Sequence, residues 1–396
     1  MNKTPAMLSP NSDNPLTLFA RTNFRNERRP FGIRRRDRLA HIHILGRTGM
    51  GKSTLLETLM LADLRVGNGF ALLDPHGDLA ARILDQAREL RAADLVEFDP
   101  AERPVGYNPL RAADPARRYL VAAGLISAFR KVWADFWGPR MEHILRQALL
   151  TLAEFPRATL LDLPRLLTDA KFRSLVVARV SDEQVRAFWG AEFERYAKQF
   201  RNEAVAPILN KAGAFLASPL IRAVLGARDN GLDLRKIMDE GKVVVATLAK
   251  GRLGEDASSL LGALLVSGFE AAALSRQDLP EGQRRDFYLY IDEVQNVATL
   301  SLAGLLQEAR KYRLGLVMAH QYLDQLEERL QRAILGSVGT LIAFRVGVRD
   351  AKVLVDEFFP EFAIEDLVSL PRGEIYVRMT VDGVVTRAFS GETMRP

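Results

Sequence analysis

Gly46-Arg47-Thr48-Gly49-Met50-Gly51-Lys52-Ser53 fits the phosphate-binding pattern GxxxxGK[ST] at every fixed position. Each residue type has a physical task. Glycines let the backbone curl so that its N–H groups face phosphates, Lys52 reaches the β and γ phosphates, and the Ser53 hydroxyl ligates a metal. A helix starting at this point adds the positive end of its dipole. Upstream, His41-Ile42-His43-Ile44-Leu45 reads as a short buried strand, and downstream Leu55, Leu56, Leu59 and Met60 recur at helical spacing. Strand, loop and helix follow in the order a nucleoside triphosphate site requires. The run from Gly46 to Thr54 is therefore the expected nucleotide-binding segment, with ATP and Mg2+ as ligands.

Composition bounds the rest. The chain has 396 residues, 48% hydrophobic and 26% charged, enough for a substantial core and two packed units. The absence of cysteine excludes a disulfide framework and thiolate metal sites, and the five histidines are scattered. Within the net charge of +6, Arg21, Arg25, Arg28, Arg29, Arg34, Arg35, Arg36 and Arg38 crowd the approach to the phosphate loop against only Glu27 and Asp37. Residues 1–38 thus read as a basic N-terminal arm, either one that meets a polyanion or one that is merely solvated. The first 20 residues hold no apolar core, so neither a signal peptide nor an anchor is expected there. Ala257 to Leu274 is mostly apolar, but Glu270 interrupts it and its small residues suit burial in protein better than in lipid. A cytoplasmic protein is expected, reaching the inner membrane only through a partner.

Short apolar runs alternate with helical patterns at both ends of the sequence, the mark of a parallel sheet with crossover helices. Strands are expected at Phe70 to Leu73, Leu95 to Phe98, Lys242 to Leu248, Phe287 to Ile291, Leu314 to Ala319 and Leu341 to Val346. Glu374 to Val381 and Val384 to Phe389 flank Asp382-Gly383, a favoured hairpin turn. From roughly Pro115 to Gly226 the pattern is helical throughout. The expected fold is α/β, a nucleotide-binding unit at 39–114 and 231–396 interrupted by an all-α insertion at 115–230.

A phosphate loop needs a second, acidic element. Phe287 to Ile291 ends in Asp292-Glu293, where Asp292 binds Mg2+ directly or through water and Glu293 polarises the attacking water. Leu314 to Ala319 ends in His320-Gln321, and the Gln321 amide is placed to sense the γ-phosphate. Two arginines are candidates for neutralising transition-state charge in a neighbouring subunit's site: Arg310, in the basic helix end before this strand, and Arg345, which ends the strand Leu341 to Phe344. Both are expected at the same edge of the sheet.

From about Phe31 to Thr393 the chain resembles the TraG/TraD-type coupling ATPases of conjugation and type IV secretion, within the FtsK/HerA superfamily of DNA translocases. The resemblance rests on the two ATPase motifs and on Asp74-Pro75-His76-Gly77-Asp78, Tyr107-Asn108-Pro109-Leu110, Lys250-Gly251-Arg252-Leu253-Gly254-Glu255-Asp256, Glu308-Ala309-Arg310-Lys311, His320-Gln321 and Phe344-Arg345-Val346-Gly347. It implies a RecA-like P-loop NTPase with a mostly parallel central sheet and an inserted all-α domain, assembled as a hexameric ring around DNA. It also implies roles: Lys52 and Ser53 on phosphate and Mg2+, Asp292 and Glu293 on metal and water, Gln321 as sensor, and Arg310 as the trans-acting arginine. Two departures stand out. The transmembrane helices with which membrane-bound relatives begin are not expected here, and Arg47 stands where lysine is usual.

The leading expectation is an ATP-driven DNA translocase of conjugative or mobile-element transfer. A second is a nucleotide-switched adaptor that recruits a relaxase or effector through Trp133, Phe136, Trp137, Phe188 and Trp189 of the insertion. A HerA-like motor in DNA-end processing or defence is a further alternative, as is a motor for polypeptide with Arg222 and Arg228 near its pore.

Overall fold

Six short strands are buried at every position: β3 (Ile42–Leu45), β4 (Gly69–Asp74), β6 (Val243–Thr247), β7 (Phe287–Ile291), β8 (Leu314–His320) and β9 (Thr340–Ala343). Strands apolar on both faces belong in a parallel sheet covered on both sides. In the computed structural model, which describes residues 15–111, 115–299 and 301–396, these six and β5 (Leu95–Phe98) pair in parallel in the order β9-β3-β8-β7-β4-β6-β5. An antiparallel flank continues beyond β9 through β10 (Glu374–Val381), β12 (Phe389–Thr393), β1 (Leu16–Thr22) and β2 (Pro30–Arg34), while β11 (Val384–Val385) pairs with β10 around the turn at Asp382 and Gly383.

Alternate residues of each strand feed two different cores. Ile42, Ile44, Phe70 and Leu72 face Leu55, Leu56, Leu59 and Met60 of the helix Lys52–Val66. Leu45, Ala71, Leu73 and Ile291 face the other way, toward the long helix Glu255–Ser275 and the helices beyond it. Between Pro115 and Leu225 the described residues form helices only, the longest being Arg118–Val132, Pro139–Glu154 and Lys198–Leu216. Helix Arg118–Val132 lies against Glu255–Ser275 where Gly124 meets Ser267, whose Oγ donates to the Gly124 carbonyl at 3.3 Å. A methyl group on Gly124 would lie 3.1 Å from the Ser267 Cβ, so the small residue permits the close approach.

Among the described residues, the segment from Glu255 to Asp278 is the one straight helix long and apolar enough to cross a membrane, and 67% of it is buried within the protein. Three of the insertion's five aromatic candidates are also core. Trp133, Phe188 and Trp189 are buried, with the Trp189 Nε1 donating to Thr151 Oγ1 at 2.8 Å, whereas Phe136 is 61% exposed and Trp137 is half-buried.

Over its described residues the arginine-rich N-terminal segment corrects the expectation of an arm, while residues 1–14 of that expected arm lie outside the described ones. Residues 16–34 supply strands β1 and β2, and most of the arginines have carboxylate partners. Arg28 pairs with Glu392 at 2.8 Å, Arg35 with Asp286 at 2.6 Å, and Arg34 and Arg36 with Asp382. Arg38 is fully buried. It grips both oxygens of Asp63 at 2.6 and 2.8 Å, donates to the Tyr290 hydroxyl at 2.6 Å and lies 3.9 Å from the Tyr288 ring centre. The Tyr290 hydroxyl and Asn68 Nδ2 in turn donate to Asp63, at 2.5 and 2.7 Å. A charge run reads as solvated when its counter-charges are distant in sequence, as Asp63, Asp286, Asp382 and Glu392 are.

Two stability outcomes follow from these buried charges. Arg38→Met leaves the Asp63 carboxylate without its cation and is expected to cost about 3–5 kcal/mol in chemical denaturation, most of it recovered when Asp63→Leu is added. In helix Glu255–Ser275, burial pushes the Glu270 carboxyl up to about 7, with a hydrogen bond to Ser301 opposing and Glu308 adding to the shift. The folded chain therefore holds this proton more tightly than the unfolded chain, so its contribution to stability is full below the ordinary value of 4.5 and lost as pH rises through about 7. Glu270→Gln is expected to raise stability by ~1–3 kcal/mol at about pH 8 and to change it little near the ordinary glutamate pKa, as read by melting at the two pH values.

Candidate nucleotide-hydrolysis site

Parallel strands deliver their C-terminal ends to one edge of a sheet, and loops at that edge build the site. Here β3 ends in the phosphate loop, β4 in Asp74, β7 in Asp292-Glu293 and β8 in His320-Gln321. The loop is fastened at its base by Gly46 N–H to the His320 carbonyl at 3.3 Å and Arg47 N–H to the Arg345 carbonyl at 2.9 Å. Two glycines are sterically required. A Cβ on Gly46 would fall 2.5 Å from the Phe344 Cβ, and Gly51 caps the helix at φ 123°, a backbone that side chains oppose.

Among the described residues, the N–H groups of Thr48, Gly49 and Gly51 meet no protein acceptor. Those of the first helical turn lack intrahelical partners by geometry. Together they form a concave set of donors suited to an anion. Lys52 is buried, and its Nζ donates to the Gly46 carbonyl at 2.7 Å and the Arg47 carbonyl at 3.4 Å, which places the ammonium inside the curl. Burial lowers its pKa, while Glu293 and Asp292 pull in the opposite direction.

Ser53 Oγ lies 3.3 Å from Asp292 Oδ2. Burial, then the neighbouring carboxylates of Asp74 and Glu293, push the Asp292 carboxyl up to about 6. A cation between Ser53 and Asp292 would relieve that crowding. Among the described residues no cluster of three or more metal-ligating side chains occurs. A metal held here would thus take its other ligands from phosphate and water, which is the habit of Mg2+. Asp74 entered the sequence reading only as the first residue of a family motif, with no role in the site, although the apolar run before it ends in an acid as the run before Asp292 does. Its two oxygens accept from the N–H groups of His76 and Ala80 at 2.8 and 2.9 Å, so it fixes the start of the helix Asp78–Arg91 and contributes its charge to the site.

Glu293 has a left-handed backbone, φ 52° and ψ 60°, which costs a residue of this type roughly 1–3 kcal/mol and is the sort of strain found at functional sites. Both carboxylate oxygens are engaged. Gln321 Nε2 donates to one at 2.7 Å and Gln295 Nε2 to the other at 2.5 Å, while Thr48 Oγ1 donates to Gln321 Oε1 at 2.8 Å. The phosphate loop, the Gln321 amide and the Glu293 carboxylate are therefore joined by a single hydrogen-bonded chain. Gln295 left no trace in the sequence reading, since an amide two residues beyond an acid is an ordinary occurrence. Lys250 Nζ reaches Asn296 Oδ1 at 2.8 Å and ties the loop after β6 to the same segment.

Beneath the loop, His43 Nε2 and His320 Nδ1 lie 3.3 Å apart. Burial holds His43 at about 4 and His320 well below the ordinary histidine value, so both rings are neutral in the ordinary pH range.

The two arginines do not share an edge, contrary to the expectation from sequence. Arg345 follows β9, and its carbonyl fastens the phosphate loop of its own chain. Arg310 precedes β8, is exposed, and lies beside His41 at the opposite end of β3. The physical reason is direction: β8 and β9 both run parallel to β3, so a residue before one strand and a residue after the other sit at opposite edges. Arg47 is exposed at the rim of the loop.

The computed fold is similar to several solved structures. The bacterial conjugative coupling protein TrwBdeltaN70 superposes with a TM-score of 0.69 at 17% identity, over 95% of this chain and 88% of that one. The plasmid coupling protein TrwB in complex with ADP and Mg2+ gives 0.67 at 19% identity, over 92% and 87%. VirB4 of Thermoanaerobacter pseudethanolicus gives 0.61 at 14% identity, over 98% of both chains. These likenesses establish the fold, that of a RecA-like P-loop NTPase. No curated protein matches the sequence. The sequence profile of the type IV secretion-system coupling protein DNA-binding domain matches residues 30–367, and with most of its length inside that match the chain belongs to this family.

Proposed function

We propose that the chain is an ATP-driven DNA translocase that serves conjugative or mobile-element transfer as a coupling ATPase. The observation that carries this reading is the hydrogen-bonded chain from Thr48 through Gln321 to Glu293, set beside Lys52, Ser53 and Asp292. Within the segment Gly46 to Thr54, the N–H groups of Thr48, Gly49, Gly51 and the first helical turn, with the Lys52 ammonium, hold the phosphates of ATP. Ser53 and Asp292 hold Mg2+, which neutralises phosphate charge when bound. Glu293 orients a water against the γ-phosphorus and accepts its proton as the bond to the β-phosphate oxygen breaks. Gln321, which donates to Glu293, links that event to the phosphate loop.

Arg310 is the residue we assign to a neighbouring subunit's site. Its exposure and its place at the edge away from its own phosphate loop support an action in trans, whereas Arg345 belongs to the loop of its own chain. Such an assignment calls for a head-to-tail assembly, which we take to be a hexameric ring around DNA, with residues 115–230 as an inserted helical domain. TrwB, whose fold is similar, has been captured with ADP and Mg2+, which supports the same ligands here. A relaxase or type IV secretion components are the proposed protein partners. The proposed location is the cytoplasmic side of the inner membrane, reached through such a partner.

ATP turnover measured with and without single- and double-stranded DNA tests the reading. DNA is expected to stimulate turnover, and Lys52→Ala or Glu293→Gln to lower it by about a hundredfold or more. Turnover indifferent to every DNA would rule out the translocase. Arg310→Ala is expected to lose roughly a thousandfold in turnover with nucleotide affinity little changed. Mixing that variant with Lys52→Ala should restore part of the activity, because some interfaces then combine an intact lysine with an intact arginine. A mixture as inactive as its components would remove Arg310 from the trans role.

A further inference from the structure

Between the helical insertion and the catalytic loops runs a cleft of about 620 Å3. Tyr119, Arg130 and Lys131 of helix Arg118–Val132, with Trp137 and Arg146, form one wall. The opposite wall comes from Thr299, Leu326, Glu327 and Leu330. Thr299 lies six residues beyond Glu293, and Glu327 six beyond Gln321. An occupant of the cleft would therefore touch both segments that carry the hydrolytic machinery.

The lining favours a particular chemistry. Two carboxylates face the cleft, Glu142 and Glu327. Glu142 is already engaged: Trp137 Nε1 donates to one oxygen at 2.8 Å and Arg146 Nη2 to the other at 2.6 Å, contacts that hold its carboxyl below the ordinary glutamate value. This pair also fixes the indole ring at the wall. Arg130 and Lys131 are exposed, and among the described residues neither forms an ion pair; Glu327 faces Lys131, and the already engaged Glu142 is the carboxylate that Arg130 feels. Tyr119, 60% exposed, lines the same cleft near the start of that helix, roughly 16 Å from Arg130 along its axis. Cations and aromatic faces spaced along one groove are the means by which proteins hold a phosphate backbone and stack its bases. A carboxylate-rich peptide would satisfy the cations but leave the rings unused, and a cleft of this size is too narrow for a double helix.

We propose that this cleft binds single-stranded nucleic acid and that its occupancy is passed to Glu293 and Gln321 through the segments ending at Thr299 and Glu327. The inference rests on the reading of the chain as a DNA-stimulated ATPase. It is tested on the full chain with a fluorescein-labelled oligothymidine, by anisotropy over a range of salt concentrations and by turnover with and without the same oligonucleotide. The double variant R130E/K131E is expected to bind at least about tenfold more weakly, with a salt slope reduced by about 1–2. Its turnover without DNA should match the unaltered protein, which also reports that it folds, and its stimulation should be lost. Tyr119→Ala is expected to weaken binding with the salt slope unchanged, because stacking releases no counterions.

If the unaltered chain is stimulated by oligothymidine and both variants bind and respond as it does, the cleft is overturned while the ATPase reading stands. If the unaltered chain neither binds nor responds to any DNA, both fall. A photocrosslinker at position 119 that captures polyglutamate in preference to oligothymidine would reassign the cleft to an acidic peptide and overturn the proposal as well.

Discussion

The site is organised around a positive charge taken out of water. Lys52 is buried, and burial of an ammonium is tolerated only where carbonyls and carboxylates surround it. The Gly46 and Arg47 carbonyls supply direct contacts, and Asp292 and Glu293 supply opposite charge from strand β7, two strands away across β8. The placement β3-β8-β7-β4 brings the phosphate loop, the Gln321 amide and three acids to one edge, where they meet that demand. The acids repel each other in turn, which is why a divalent cation and a polyphosphate together would suit the site better than either alone.

Much of this was legible in the amino-acid sequence, because the signals were local. The pattern from Gly46 to Ser53, the apolar run into Asp292-Glu293 and the strand into His320-Gln321 each announce an element and what it carries in a few residues. β7 runs from Phe287 to Ile291 as its apolar stretch does, and the helical tract after Pro115 is as strand-free as its pattern suggested. What escaped were relationships between distant residues. Arg38 looked like one member of a charge run because nothing near it reveals Asp63, Tyr288 and Tyr290 as its surroundings. The strands β1 and β2 were missed for the same reason: β1 pairs with β12, at the other end of the chain, and β2 joins the sheet only through β1. The direction of β8 and β9 relative to β3 likewise decides on which edge Arg310 and Arg345 fall, and one-dimensional spacing carries no such information.

The contact between the helix Glu255–Ser275 and the helical segment 115–225 is tight where small residues meet and open where charges gather. Gly124 against Ser267 lets two helices approach closely, and Tyr107 and Asn108 bind across the junction, to the Leu264 carbonyl at 3.0 Å and the Ala158 carbonyl at 2.8 Å. The motif Tyr107-Asn108-Pro109-Leu110 is accordingly a structural hinge pin that keeps the insertion in register with the helix Glu255–Ser275.

The left-handed backbone at Glu293 bears on how such a protein evolves. Glycine or asparagine would occupy that conformation with less strain, so selection acting on stability alone would favour replacing the glutamate. A glutamate there gives up stability for a carboxylate held between Gln321 and Gln295. Lineages in which the enzyme falls idle would be expected to lose this residue early, while the folded scaffold around it endures or even hardens.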